Sequence, residues 1–254
     1  MIEETEVSRA IVENAVKDFL DCLEVDVAIA GGGPSGLVAA RYLADSGAKV
    51  ALFERKLSLG GGMWGGGMMY PKIVVQEEAR CILDDFGINY RKDGEQYIAS
   101  SIESVAKLVS HAVDSGARLF NCISVEDVLI RDDVVNGFVL NWSTVEVAGL
   151  HVDPLAIKAR YCLDATGHPL EVCSIVCRKV GKLNTPSGGI MGERSMWADV
   201  SERLVVENTG EVYPGLYVSG MAANAVYGSP RMGPIFGGML LSGKKAAELI
   251  TKRL

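Results

Sequence analysis

Three glycines and one glutamate carry the clearest chemistry in this sequence. Gly31, Gly33 and Gly36 stand as G-x-G-x-x-G directly after an apolar run, and Glu54 closes the next such run. Gly31 permits a tight turn, Gly33 lets backbone approach a pyrophosphate, and Gly36 lets a helix pack on the strand. Free N–H groups at the helix start favour an anion, and Ser35 stands where its hydroxyl reaches phosphate. Glu54 accepts hydrogen bonds from an adenosine ribose. Arg55 and Lys56 follow it, either adding positive charge beside the adenosine or lying solvated. A second set is sparser. Asp153 and His168, a carboxylate and an imidazole on an otherwise open sphere, suit ferrous iron, and zinc or manganese would accept the same pair. On residue type alone a lone histidine at a strand end is more often a hydrogen-bonded structural residue.

The elements that must hold these groups follow from periodicity. Residues 25–46 read as strand, glycine turn and helix, and residues 6–21 as an amphipathic helix placed before them, packed on the sheet or on a neighbouring subunit. In KLSLGGGMWGGGMMYP (residues 56–71) six glycines surround Met63 and Trp64, a stretch suited to neither helix nor strand. Its Trp, Met and Tyr70 favour a backbone wall against a ligand over a flexible linker. Helices are expected over 75–87 and 101–115, the second opened by a capping box from Ser100 to Glu103. His111, within that helix, reads as a surface or packing residue. Residues 117–150, with Asn136-Gly137 and Trp142-Ser143-Thr144 as turn signals, read as a small inserted β-meander. An apolar strand then runs into ATG, a helix follows near 170–180, and a Gly/Met-rich segment covers 183–198. EVYPGLYVSG reads as a strand, followed by a loop and a long final helix.

Composition narrows the class. The 254 residues suit one α/β domain, and a formal charge of −7 without any block of basic residues argues against nucleic-acid or membrane partners. Met1-Ile2-Glu3-Glu4 is unlike a secretory signal, so a cytoplasmic protein is expected. Six cysteines lie scattered, and Cys173-x-x-x-Cys177 reads as two small residues of a reducing compartment and not as a metal cluster.

The strand–GxGxxG–helix unit, the Ala165-Thr166-Gly167 strand end and PGLYVSG at 214–220 together resemble the Rossmann-like dinucleotide-binding fold of the flavin disulfide reductase type. In such flavoproteins the last motif continues with an aspartate that holds the flavin. Here the pair is Gly220-Met221, which points to a dinucleotide other than FAD. GGGMWGGGMM (60–69), HVDP (151–154), ATGH (165–168) and GSPRMGPIFGGMLLSGKKAAE (228–248) resemble, over essentially the whole chain, the Thi4 family of thiazole synthases.

That resemblance implies an enzyme, a transferase of thiamin biosynthesis, for which NAD is a substrate and not a hydride carrier. Nicotinamide leaves, ADP-ribose isomerises, glycine condenses as an imine, and sulfur enters to give an adenylated thiazole carboxylate. In fungal and plant members the stretch matching HVDP carries the cysteine that gives up its sulfur in a single turnover. His151 has none to give, so the chain resembles the archaeal branch, which takes free sulfide and turns over repeatedly. The resemblance further implies Asp153 and His168 from adjacent protomers as the Fe(II) ligands, a homo-oligomer, an octamer, with shared sites, and Arg231 on the glycine carboxylate. Gly62 and Val125 would line the nucleotide through their backbone, with Val152 beside His151 and Asp153, and Met221 in place of the flavoprotein acid. His151 is either the general acid/base for the proton transfers of this route or a residue that shapes the sulfide pocket. A flavin or NAD oxidoreductase and a sugar-phosphate isomerase on the same fold are the alternative enzymes, and a nucleotide-sensing protein is the non-enzymatic one.

Overall fold

The computed structural model describes residues 1–254. Helix α1 (Glu4–Asp21) precedes β1 (Glu24–Ala30), α2 (Pro34–Asp45) and β2 (Val50–Glu54), the expected strand–turn–helix–strand unit. β1 and β2 pair in parallel, from Val27 opposite Val50 to Ala30 opposite Phe53. Both read as continuous apolar runs because a parallel strand is covered on its two faces. Pro34 in the first turn of α2 sacrifices no helical hydrogen bond. None of the residues of α1 is buried: Val7, Ile11, Val12, Val16 and Leu20 are exposed, and only its far end touches the body, where Phe19 packs edge-on against Phe120.

Beyond a 3-10 turn at Gly61–Gly65, β3 (Lys72–Gln76), α3 (Arg80–Asp85), β4 (Tyr90–Asp93), β5 (Gln96–Ser100) and α4 (Ser101–Asp114) follow. The helix expected over 75–87 is therefore only six residues long. β3, β5 and β4 form an antiparallel three-stranded sheet that periodicity did not reveal. Its strands are four or five residues long, too short for an alternating pattern to stand out from a turn. α4 opens as expected, Ser100 Oγ accepting from Glu103 N–H at 3.4 Å. The other half of the box does not form, because the Glu103 carboxylate accepts from Asn89 and pairs with Lys107.

Residues 117–150 divide differently from the expected meander. β6 (Arg118–Asn121) joins the parallel sheet beside β2, and only β7 (Ile123–Arg131) and β8 (Val134–Trp142) form a hairpin, followed by the short α5 (Ser143–Val147). The hairpin turns at Asp132-Asp133, both at positive φ, while Asn136-Gly137 lies inside β8. A Cβ on Gly137 would stand 2.0 Å from the Ile157 carbonyl oxygen, so this glycine serves strand contact and not a turn.

β9 (Leu155–Asp164) ties the pieces together. β1 pairs with one edge of it, while the other edge takes β8 along residues 155–158 and β11 (Leu216–Val218) along 162–164. α6 (Glu171–Val180), α7 (Ala198–Glu207) and β10 (Gly210–Tyr213) lie between β9 and β11, and α8 (Met221–Tyr227) and α9 (Gly237–Thr251) complete the chain. EVYPGLYVSG is thus two antiparallel strands, β10 and β11, joined at Pro214-Gly215. The main sheet runs β10–β11–β9–β1–β2–β6, and all but β10 are parallel along that path. Val27 and Ile29 enter one core with α2, α4 and α9, and Ala28 and Ala30 enter another with α6, α8 and the β7–β8 hairpin. Each buried Leu or Ile in these layers contributes roughly 1.5–3 kcal/mol, which makes the sheet a stiff base for its carboxyl-end loops. The α/β class with a parallel sheet agrees with the sequence. No helix is long and apolar enough to cross a membrane.

Candidate functional site

A cavity of about 520 Å³ opens where the parallel strands end, the crevice in which open α/β sheets bind ligands. The glycine turn forms one wall. Gly31 has φ +99°, and a Cβ there would come within 2.5 Å of the Ala165 carbonyl oxygen. A Cβ on Gly36 would stand 2.1 Å from the Gly31 oxygen, so α2 can sit this low on β1 only without a side chain. A Cβ on Gly33, by contrast, would meet nothing within 4 Å, leaving its backbone open to the cavity. Ser35 is buried beside it, and its Oγ accepts from the Ser219 hydroxyl at 3.3 Å.

Glu54, only 7% exposed, ends β2 at the cavity. Its Oε2 accepts from Gly32 N–H and its Oε1 from Lys56 N–H, both at 2.8 Å, which fixes the carboxylate against the glycine turn. Each oxygen keeps a further lone pair for a hydroxyl. Arg55 also lines the cavity but is already engaged, in an ion pair with Glu171 at the start of α6. Burial pushes the Glu171 carboxyl above its ordinary range, against the opposing pull of Arg55. Lys56, Gly62, Val125 and Met221 all contribute to the lining, and no cysteine does. Trp64 caps the glycine-rich wall, donating from Nε1 to the Leu59 carbonyl at 2.6 Å.

The opposite end carries His168 and Arg231. β9 delivers His168 through a braced turn. Buried Asp164 accepts from Thr166 N–H at 3.0 Å, from the Thr166 hydroxyl at 2.7 Å and from Cys173 N–H at 2.8 Å. The His168 Nδ1 lies 2.6 and 2.7 Å from the two carboxylate oxygens of Glu193. Arg231 follows Pro230 in the loop before α9. Its backbone exchanges hydrogen bonds with Arg194 and Trp197, while its guanidinium makes no ion pair or hydrogen bond within the chain.

Gly31, Gly33, Ser35, Glu54, Arg55, Gly62, Val125, Met221, His168 and Arg231 thus share one cavity, with Gly36 packed directly behind it. His151, Val152 and Asp153 do not join them. They are exposed on the segment between α5 and β9, outside the lining of their own chain. No three His, Cys, Asp or Glu side chains converge anywhere in the chain to hold a metal. His111 packs against Phe86, as a packing residue would. Two residues escaped the sequence reading, Glu171 and Glu193. Glu171 had a signal, an acid opening a helix directly after the ATGH motif, whereas Glu193 lies in a segment with no periodicity.

Comparison with known proteins agrees with this geometry. The family model described as Thi4 family matches residues 8–236. A thiamine thiazole synthase of Methanothermobacter thermautotrophicus is 61% identical over 100% of this chain and 99% of its own length. One from Pyrococcus horikoshii is 56% identical over the same shares of the two chains. The crystal structure of Thermovibrio ammonificans THI4 superposes with a TM-score of 0.98 at 52% identity, covering 100% of this chain and 99% of that one.

Proposed function

Because the chain belongs to the Thi4 family of thiamine thiazole synthases, enzymes of thiamine biosynthesis, we propose that it converts NAD and glycine into an adenylated thiazole carboxylate. Nicotinamide is released, free sulfide is the sulfur source, and ferrous iron is required. The observation that carries the reading is the single cavity that joins the glycine turn and Glu54 to His168 and the unpaired Arg231. One end offers what a dinucleotide needs, a bare glycine backbone and a ribose acceptor. The other offers a planar cation for the glycine carboxylate.

Sulfur arrives from solution in this proposal because His151 stands in the HVDP stretch and none of the lining residues is a cysteine. Such an enzyme is not consumed by its reaction and turns over many times. His151 is the proposed general acid/base for the proton transfers of this route.

The residues fit a divalent metal in part. His168 faces the cavity with Nε2 free of any hydrogen bond in the chain, a suitable nitrogen donor. Asp153 would complete the protein ligands from an adjacent copy, since it lies outside the cavity of its own chain. When bound, ferrous iron supplies a Lewis-acid centre with positions open to substrate and sulfide. A homo-oligomer, an octamer with shared sites, belongs to this reading. So does a cytosolic setting without nucleic-acid or membrane partners, in line with the charge of −7.

Anaerobic incubation with NAD, glycine, Fe(II) and sulfide, read by mass spectrometry, tests the proposal. The adenylated product should exceed one equivalent per chain and should vanish without sulfide. Intact NAD at the end would refute the substrate assignment, and a ceiling of one equivalent would refute the sulfur source.

A further inference from the structure

The geometry points to Glu193 as a positioning residue that sets which nitrogen of His168 faces the cavity. His168 is 49% exposed through its side chain and Glu193 only 16%, so the acid is the better shielded of the two. Both carboxylate oxygens lie within 2.7 Å of Nδ1, and the Glu193 side chain has no other partner in the chain. A carboxylate accepts only, so this contact requires a proton on Nδ1. In a neutral ring that places the lone pair on Nε2. The other tautomer would set a bare Nδ1 against a shielded carboxylate, two acceptors facing each other.

The backbone around Glu193 shows how its place is held. Gly192 N–H donates to the Ala225 carbonyl at 2.9 Å, and Arg194 N–H donates to the Ser229 carbonyl at 3.0 Å. Arg231 N–H then donates to the Arg194 carbonyl at 3.1 Å, which completes an isolated bridge between Arg194 and Pro230. Residues 192–194 are therefore stapled to α8 and to the very strip that carries Arg231. From the other side the Asp164–Thr166 bonds brace the turn that carries His168. Glu193 closes the span between two braced segments, so its carboxylate orients the ring as well as choosing its tautomer. The arrangement is that of a carboxylate behind a ligating histidine, where loss of the outer partner weakens metal binding by about 10–100-fold.

The inference rests on His168 being a metal ligand, and the experiment separates the two claims. Nitrogen NMR of the metal-free, 15N-histidine-labelled full-length protein at pH 8 should show His168 protonated on Nδ1 and bare on Nε2. Glu193→Ala should release it to a mixture in which Nε2–H appears. Glu193→Gln, whose amide oxygen can still accept from Nδ1–H, should keep the wild-type tautomer. Titration with Co(II), read by its visible absorption, should give affinity weakened about 10–100-fold in Glu193→Ala and less in Glu193→Gln. NAD binding should be unchanged in both. An Nε2–H ring in the wild type, or an unaltered tautomer and Co(II) affinity in Glu193→Ala, would overturn the inference. Undiminished Co(II) binding by His168→Ala would instead remove the metal reading, leaving the tautomer to decide the hold of Glu193 on the ring.

Discussion

The two ends of the cavity are built to different standards of completeness. At the glycine turn every group is fixed by its own chain: Gly31 against Ala165, Gly36 against Gly31, and Glu54 tied to the amides of Gly32 and Lys56. At the far end His168 is half exposed, the Arg231 guanidinium has no partner, and His151, Val152 and Asp153 stand outside the cavity. The glycine-turn end is therefore complete in one folded chain, because local backbone packing and the Glu54 carboxylate shape it. The far end has polar groups without a partner in the chain, open to solvent, to a ligand or to another copy of the chain.

Substitutions at two glycines of one motif should split that comparison most sharply. Gly36→Ala forces a Cβ to within 2.1 Å of a backbone oxygen, and denaturant unfolding should show a loss of about 3 kcal/mol or more. Gly33→Ala meets nothing, so stability should stay within about 0.5 kcal/mol while NAD affinity, measured by calorimetry, falls about tenfold or more. Equal destabilisation by both would mean that the turn is only structural.

The reactive end should respond in the opposite sense. Asp153→Ala and His168→Ala are expected to abolish iron retention and product formation, with nucleotide affinity kept and stability changed by no more than about 0.5 kcal/mol. Metal analysis alongside thermal unfolding checks this, and wild-type iron content in both variants would remove the metal assignment.

A pH-dependent effect should appear behind the glycine-turn end. Glu202, on α7, accepts from the Gly238 amide at the start of α9, next to the cavity-lining Phe236 and Met239. Burial pushes its carboxyl up to about 7, and both Glu202 Oε1 and Gln76 Oε1 lack a hydrogen-bond partner. The folded state thus holds this proton more tightly than the unfolded chain, whose carboxyl titrates near about 4.3. The favourable contribution is full below that value and is lost as pH rises to about 7. Glu202→Gln should flatten the stability–pH curve in this window, by an amount on the order of 3 kcal/mol, and unfolding curves across the range would show it. Smallest is Ser100→Ala, which removes the cap of α4 and should cost about 1 kcal/mol without touching NAD or metal binding.

Local rules made the binding end legible. A glycine where a Cβ cannot fit, an acid closing a buried strand and a helix beginning after the turn are all set within a few residues of backbone, where sterics act directly. Other features obeyed no such rule. Asn136-Gly137 suggested a turn, yet tertiary contact with Ile157 placed it within a strand, and the chain turned instead at two aspartates. The β3–β5–β4 sheet went unseen because its strands are too short to show a period.

By itself the sequence determined the parallel α/β scaffold and the steric need for glycine at 31 and 36, since periodicity and backbone sterics are properties of neighbouring residues. Only the tertiary structure decided that Glu193 stands behind His168, that Arg55 is held by Glu171 and that Asp153 lies apart from the cavity. Those relations join side chains far apart in the chain, and their geometry exists only once the sheet has brought its loops to one edge.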